Sequence, residues 1–473
     1  MEYKNFFAVD LGATSGRTML GTLSENRLQQ RELTRFPNPI INIHGRMYWD
    51  IFALYSEVVK ALRLCAEQNI HIDSIGIDSW GVDFVCFDRN GVPLSNPHCY
   101  RDPYTQGAME DVFQHISKRQ LYAKTGIQFM DFNSIFQMYV QHRAAEESYL
   151  RASKILFIPD ALSYMLTGQA VCEQTIFSTS QLQNAASGGW ADAELCGLVG
   201  LSAERMGRPV LPGQPIGELT ENVRHLTGLN YPVPVFAVAG HDTASAVAAV
   251  PAQDAEFAYL SCGTWSLLGV ETPSPILSQQ AYDMNFTNEQ GVFSSTRFLK
   301  NICGLWLLSS CQSEWVDAPK DVARLIDEAM SSPSCGTIIN PDDPLFASPK
   351  SMLQAIGTYC SSRGLAIPHG YAQTTRCIFE SLANRYREVL DMLKTLAPTP
   401  IRRLHVIGGG SLNAPLMQLT SDAIGMPVIA GPAECTAMGN LLMQAYGLGL
   451  VSSHTELRTI VSNSIETKTY EPR

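Results

Sequence analysis

The sequence predicts an α/β protein of two related domains facing one another across a catalytic cleft, and three observations carry that prediction. Phe6 to Gly21 passes from an apolar β-forming run through Asp10-Leu11-Gly12-Ala13-Thr14-Ser15-Gly16-Arg17 into a second apolar run, the pattern of strand, tight turn, strand. Ala258 to Gly269 repeats it halfway along the chain, with Gly263 and Ser266 spaced like Gly12 and Ser15 and with Ser261 in place of Asp10. The first hundred residues read in the order β-β-β-α-β. The expected domains are therefore residues 1–248 and 249–473.

Composition narrows the function classes. At 473 residues and 45% hydrophobic content the chain can bury substantial cores. A net charge of −11, without any Lys/Arg-rich run, argues against nucleic-acid backbones as partners. No apolar span of 18 residues occurs and Asp10 interrupts any leader-like start, so a soluble cytoplasmic protein is expected. The twelve cysteines are scattered, with no C-x-x-C pair and no zinc spacing, and read as small buried residues in a reducing compartment.

In the opening turn, glycines let backbone N–H groups crowd around an anion, Thr14 and Ser15 add hydroxyl donors, and Asp10 can hold a hydrated Mg²⁺. The same residues also suit an ordinary β-turn with a capping Asp. Arg27 to Phe36 continues as a third strand, and Asp50 reads as the N-cap of a helix through Val58, Leu62 and Cys65. Strands follow at Ile72–Asp78 and Asp83–Phe87. Between them, Trp80 beside Gly81 can face a sugar ring, or be a buried Trp near a solvated Asp83. This strand order resembles a ribonuclease H-like domain, the unit shared by actin, hexokinases and the heat-shock ATPases.

His98 to Asp102 is a polar and aromatic loop cluster in which Arg101 and Asp102 can pair. Asp131–Leu150 has a helical pattern, Ile155–Ile158 a strand pattern, and Ala161–Leu166 a helix stopped at Gly168. Glu173 to Asn184 reads as loop. A buried strand over Val233–Ala239 ends at Gly240-His241-Asp242-Thr243-Ala244-Ser245-Ala246, which places Asp242 at a helix start, as N-cap or as a base for a substrate hydroxyl. Further on, Asn285 to Glu289 and Arg297 to Trp306 precede a helix, and Thr374–Leu393 is helical. Leu404–Ile407 is a strand running into Gly408-Gly409-Gly410-Ser411, where bare backbone would admit a flat ligand such as adenine. Pro427–Ala430 is a strand, Ala437–Tyr446 a helix, and the polar tail after Val451 is expected to be peripheral.

Taken together, Asp10 to Arg17, Gly76 to Phe84, Tyr100 to Pro103, Gly240 to Ala246, Ser261 to Leu267, Arg297 to Trp306 and Ile407 to Ser411 resemble, in order, the motifs of the FGGY carbohydrate kinases over nearly the whole chain. The resemblance implies two ribonuclease H-like domains and an ATP-dependent sugar kinase. It implies ATP contacts from Ala13, Thr14, Ser15, Gly16, Arg17, Thr264, Gly409 and Gly410, and Mg²⁺ held through water by Asp10. Trp80, Gly81, His241, Asp242, Thr243 and Asn301 are the implied sugar residues, with Asp242 as the base. Where the family pattern has a Gln shortly after Gly-Leu-Trp, this chain has Ser309, with Gln312 one helical turn on.

The implied reaction phosphorylates the terminal 1-hydroxyl of a 6-deoxy-L-ketohexose, with L-rhamnulose ahead of L-fuculose. An actin-like ATPase or a non-catalytic sugar sensor are the alternatives of other classes. The implied partners are a sugar and ATP, with neither nucleic acid nor membrane, for a monomer or a homodimer.

Overall fold

The computed structural model describes residues 3–473 and divides into two compact units. The first extends to Gln253 and takes in Thr272–Phe298 and Cys435–Ser464; the second holds Asp254–Glu271, Leu299–Glu434 and Ile465–Arg473.

A six-stranded sheet organises the first unit, in the order Pro215–Glu218, Pro234–Phe236, Ser74–Ser79, Lys4–Leu11, Ser15–Ser24, Arg27–Pro37. Lys4–Leu11 pairs parallel with Ser74–Ser79 and antiparallel with Ser15–Ser24. Its residues 6–11 are buried on both faces, as a central strand requires. Alternation then sorts the side chains: Phe7, Val9 and Leu11 join Ile75 and Ile77 in the core with Leu54, Val58 and Leu62 of the helix Ile51–Glu67. Asp50 caps that helix, its carboxylate accepting from the Ala53 N–H at 3.0 Å.

Asp10 and Asp78 fall on the other face, where the helix Cys435–Gly447 packs. Gln444 donates to the Phe7 carbonyl (3.1 Å) and accepts from Ser74 Oγ (2.8 Å), while Asn440 donates to Asp78 Oδ2 (2.6 Å). The approach is close because Gly76 has no Cβ; one would lie 2.5 Å from Asn440 Oδ1.

Within the second unit, strands run Thr296–Cys303, Trp265–Thr272, Phe257–Cys262, Arg403–Ile407, Val428–Ala430, Lys468–Tyr470, the first of them entering the unit at Leu299. Phe257–Cys262 is antiparallel to Trp265–Thr272 and parallel to Arg403–Ile407, which is parallel to Val428–Ala430. An antiparallel hairpin, then two parallel strands and an antiparallel edge repeat the arrangement of the first sheet. The echo between the two hairpins is thus structural, although the second turn is one residue shorter: Leu11 pairs with Gly16, and Cys262 with Ser266.

Three readings of the sequence need correction. Glu173–Asn184 is not a plain loop: Val171–Glu173 is a strand and Gln174–Ser178 a buried helical turn whose N–H groups Glu173 accepts. Its polar residues gave no apolar period because they are satisfied by protein on every side. Asp131–Leu150 breaks into Ser134–Arg143 and Glu147–Arg151, with Ala145 at φ +53° between them. The tail is not peripheral, since the helix His454–Ser464 buries Leu457, Ile460 and Val461 and Lys468–Tyr470 forms an edge strand. Among the described residues no helix is long and apolar enough to cross a membrane.

Candidate active site

The strand ends of the first sheet bring the acidic residues together. Asp10 stands in register with Arg17 on one neighbour and with Asp78 on the other. Arg17 donates Nε (2.9 Å) and Nη2 (2.6 Å) to Asp10 Oδ2, a charge-assisted pair that anchors the turn. The turn itself is closed by Gly12 N–H on the Ser15 carbonyl (2.9 Å) and by Asn38, whose side-chain amide reaches the Gly12 carbonyl (3.0 Å). Arg17 thus holds Asp10, and Ala13 and Thr14 lie in the turn itself.

Asp78 is fully buried, and its Oδ1 has no hydrogen-bond partner. Burial, and then the neighbouring Asp10, push its carboxyl pKa up. An orphaned carboxylate oxygen beside Asp10 is what a hydrated divalent cation would satisfy, so the residues present fit Mg²⁺. Sequence reasoning passed over Asp78 because the strand it ends looked complete without it.

His241 is the N-cap of the helix Asp242–Ala248, and Asp242 its first residue. The backbone here is fixed from behind: Gly240 N–H donates to Glu173 (2.9 Å) and His241 N–H to Thr175 Oγ1 (3.2 Å). Asp242 Oδ1 accepts from Thr243 N–H (2.5 Å) and Thr243 Oγ1 (3.1 Å), and His241 Nε2 lies 3.5 Å away. Three groups gather on Oδ1, and among the described residues none donates to Oδ2, on a side chain left 30% exposed. The protein around it pushes the Asp242 pKa up by desolvation; His241 opposes that and Asp10 adds to it.

Gly81 faces the same histidine: a Cβ there would sit 3.5 Å from His241 Nε2 and 3.3 Å from Thr179 Oγ1. The chain reaches this position through a tight turn in which Asp83 N–H donates to the Gly81 carbonyl (2.9 Å) across Val82 at φ +70°. A β-branched residue at positive φ is strained, and the surroundings hold it. Ser134 Oγ donates to the Val82 carbonyl (2.6 Å). Asp83 collects Trp49 Nε1 (2.6 Å), Trp80 Nε1 (2.9 Å), Gln137 Nε2 (2.8 Å) and Tyr100 N–H (3.2 Å). Asp83 is thus buried, not solvated, and burial pushes its pKa up to about 6 against those four donors. Trp80, itself buried, stacks tilted on Trp49 with ring centroids 4.5 Å apart. Nearby, Asp102 pairs with Arg46 and accepts from Met47 and Tyr104 N–H groups instead of meeting Arg101.

In the second unit, Thr264 occupies the hairpin turn, its carbonyl accepting from Trp306 N–H (3.1 Å) at the start of the helix Trp306–Glu314. Asn301 lies on the strand Thr296–Cys303. Gly409 opens onto free space, but a Cβ on Gly410 would meet Cys262 Sγ at 2.2 Å, so packing already requires that second glycine. Ser309 is exposed and turns its Oγ back to the Leu305 carbonyl (3.1 Å); Gln312 follows on the same helix.

Comparison with known proteins places the whole chain. The model of the FGGY family of carbohydrate kinases, N-terminal domain, matches residues 6–249, and that of the C-terminal domain matches residues 258–448. A rhamnulokinase from Bacteroides thetaiotaomicron is 53% identical over 470 residues, covering 99% of this chain and 96% of the relative. One from Pectobacterium atrosepticum is 42% identical over 476 residues, covering 100% and 94%. Among solved structures, gluconate kinase from Lactobacillus acidophilus superposes with a TM-score of 0.82 at 16% identity, covering 100% of this chain and 94% of that one. Xylulose kinase from the same organism gives 0.80 at 17%, covering 99% and 94%.

Proposed function

This chain belongs to the FGGY family of carbohydrate kinases, and from that premise we propose that it phosphorylates the 1-hydroxyl of L-rhamnulose with ATP. The observation that carries the reading is the Asp242 carboxylate, with Oδ1 accepting two hydrogen bonds from Thr243 beside His241 and Oδ2 left to accept a proton. Two rhamnulokinases at 42% and 53% identity over almost the full chain support the choice of sugar.

In this reading Gly81, His241, Thr243 and Asn301 hold the ketose, and Trp80 backs them from its place on Asp83. Asp242 Oδ2 takes the proton of the 1-hydroxyl as its oxygen bonds to the γ-phosphorus and the bond to the β,γ-bridging oxygen breaks, releasing ADP. Ala13, Thr14, Ser15, Gly16, Arg17, Thr264, Gly409 and Gly410 are the proposed ATP residues. Residues 1–248 supply the sugar and phosphate side and residues 249–473 the nucleotide side, with Thr272–Phe298 lending residues to the first. Asp10 and Asp78 would hold hydrated Mg²⁺, which neutralises phosphate charge when bound. All twelve cysteines are free thiols, which suits a reducing cytoplasm.

The test is ADP release by the purified protein with ATP and Mg²⁺ against L-rhamnulose, L-fuculose, L-ribulose, D-xylulose and glycerol. A preference for L-rhamnulose is expected. Faster turnover of L-fuculose would move the assignment to that ketose, and no sugar-dependent turnover would remove the kinase reading.

The pH profile follows from Asp242. A base works ionised, so kcat/KM for the sugar is present at high pH and is lost as pH falls through the Asp242 pKa, which burial raises. The acid limb should accordingly lie above about pH 4, the ordinary aspartate value. A limb at or below that value would show another group in the role.

A further inference from the structure

We propose that Glu289, clamped by Arg297, is a positioning residue of the transfer reaction: it fixes the imidazole of His241 at Nδ1, so that Nε2 stands against Gly81 and the Asp242 carboxylate. The proposal rests on the kinase reading above and extends it to two residues to which that reading assigns no role.

All the groups lie within the first unit. Glu289, on the strand Thr287–Gln290, accepts from Arg297 Nη2 at 2.9 Å and has the same oxygen, Oε2, 3.2 Å from His241 Nδ1. Arg297 Nη2 is itself 3.1 Å from Nδ1, and its Nε donates to the Gln290 carbonyl at 3.1 Å. The imidazole is therefore gripped at one nitrogen by an ion pair. Its other nitrogen lies 3.5 Å from Asp242 Oδ1 and faces the bare Cα of Gly81. What one ring nitrogen bonds decides how the other is presented, so the pair sets the orientation of Nε2.

The ion pair is hard to explain as a stabilising device. Arg297 is completely buried and the Glu289 side chain only 5% exposed, and at that depth desolvation commonly cancels the attraction between partners. Desolvation does push the Glu289 pKa up, but Arg297 and His241 outweigh it and keep the carboxyl below its usual range, ionised as a fixed acceptor. A neutral pair also grips the ring without adding net charge beside the base.

A double-mutant cycle tests this. Glu289→Gln should lower kcat/KM for L-rhamnulose by about 10- to 100-fold, the cost of a small misplacement at a reacting centre, while leaving the KM for ATP within about twofold. In a His241→Ala background the same substitution should cost less than about threefold, because its effect passes through the ring. Losses that simply multiply, or a Glu289→Gln enzyme equal to wild type, would overturn the proposal. If thermal unfolding shows that Glu289→Gln does not fold, Glu289→Asp keeps a charge for Arg297 and withdraws the carboxylate from Nδ1, and the cycle is run on it. The ¹⁵N shifts of the His241 ring give a reading independent of turnover: they should move when Glu289 is replaced, and unmoved shifts overturn the proposal even in a protein that phosphorylates no sugar. Absence of sugar-dependent turnover in the wild type sinks the kinase reading, whereas a multiplicative cycle in an active enzyme sinks this proposal alone.

Discussion

Asp242→Asn should lower kcat by about 10² to 10⁴, the range over which a positioned general base contributes, while the affinity for ATP stays near wild type. The amide keeps the shape of the carboxylate, and its oxygen can still accept from the Thr243 N–H and Oγ1 that now bind Oδ1. What it loses is a basic Oδ2, so the sugar hydroxyl has to attack with its proton in place. Steady-state kinetics separates this from a folding defect when thermal unfolding and nucleotide binding are measured on the same preparation. Turnover within a few-fold of wild type would mean that Asp242 is a helix-terminal residue and that another group takes the proton.

The second large effect is on stability. Asp83→Ala should destabilise the first unit by about 3–5 kcal/mol, since each buried donor stripped of its acceptor costs about 1–3 kcal/mol and some of those losses are relieved by rearrangement. Two indole N–H groups, the Gln137 amide and the Tyr100 N–H all end on this carboxylate. The carboxylate also holds the indole of Trp80, the residue next to Gly81, so the folded fraction should show a raised KM for the sugar. The midpoint of the first urea transition measures the stability change. Asp83→Asn, which keeps the volume and one acceptor oxygen, should cost less. A midpoint unmoved in Asp83→Ala would mean that water replaces the carboxylate without penalty.

Much of this site could be read before any coordinates, where a motif is short in sequence and its residue types have few other uses. The turn from Asp10 to Arg17, the Gly240–Thr243 corner and the run into Gly408 each combine an expected strand end, a glycine and a polar group within a few residues; Lys4–Leu11 and Arg403–Ile407 do end at theirs, whereas the strand expected over Val233–Ala239 is only Pro234–Phe236 and stops four residues short of Gly240. The two-sheet plan followed from the repeated hairpin. The supporting residues were not legible for a physical reason. Glu173, Thr175 and Thr179 act from a buried polar stretch with no apolar rhythm, and Glu289 and Arg297 lie 48 and 56 residues beyond His241. Asp83 was visible as a residue but not as an acceptor, because Trp49, Tyr100 and Gln137 come from three other segments. Periodicity reports a neighbour three or four places away, and none of these partners is that near.

Asn440 and Gln444 hydrogen-bond to Asp78 and to the Phe7 carbonyl, across 362 and 437 residues of chain. During translation, therefore, the opening strands emerge long before the helix that covers one of their faces. That face must wait until nearly the whole polypeptide has left the ribosome, for tens of seconds at about 5–20 residues per second. In that interval Phe6 and Ala8 are exposed beside the carboxylates of Asp10 and Asp78, whose charges make the waiting surface a poor partner for other nascent strands. The same acidic pair that fits the phosphate's cation would thus also guard the unfinished sheet against aggregation.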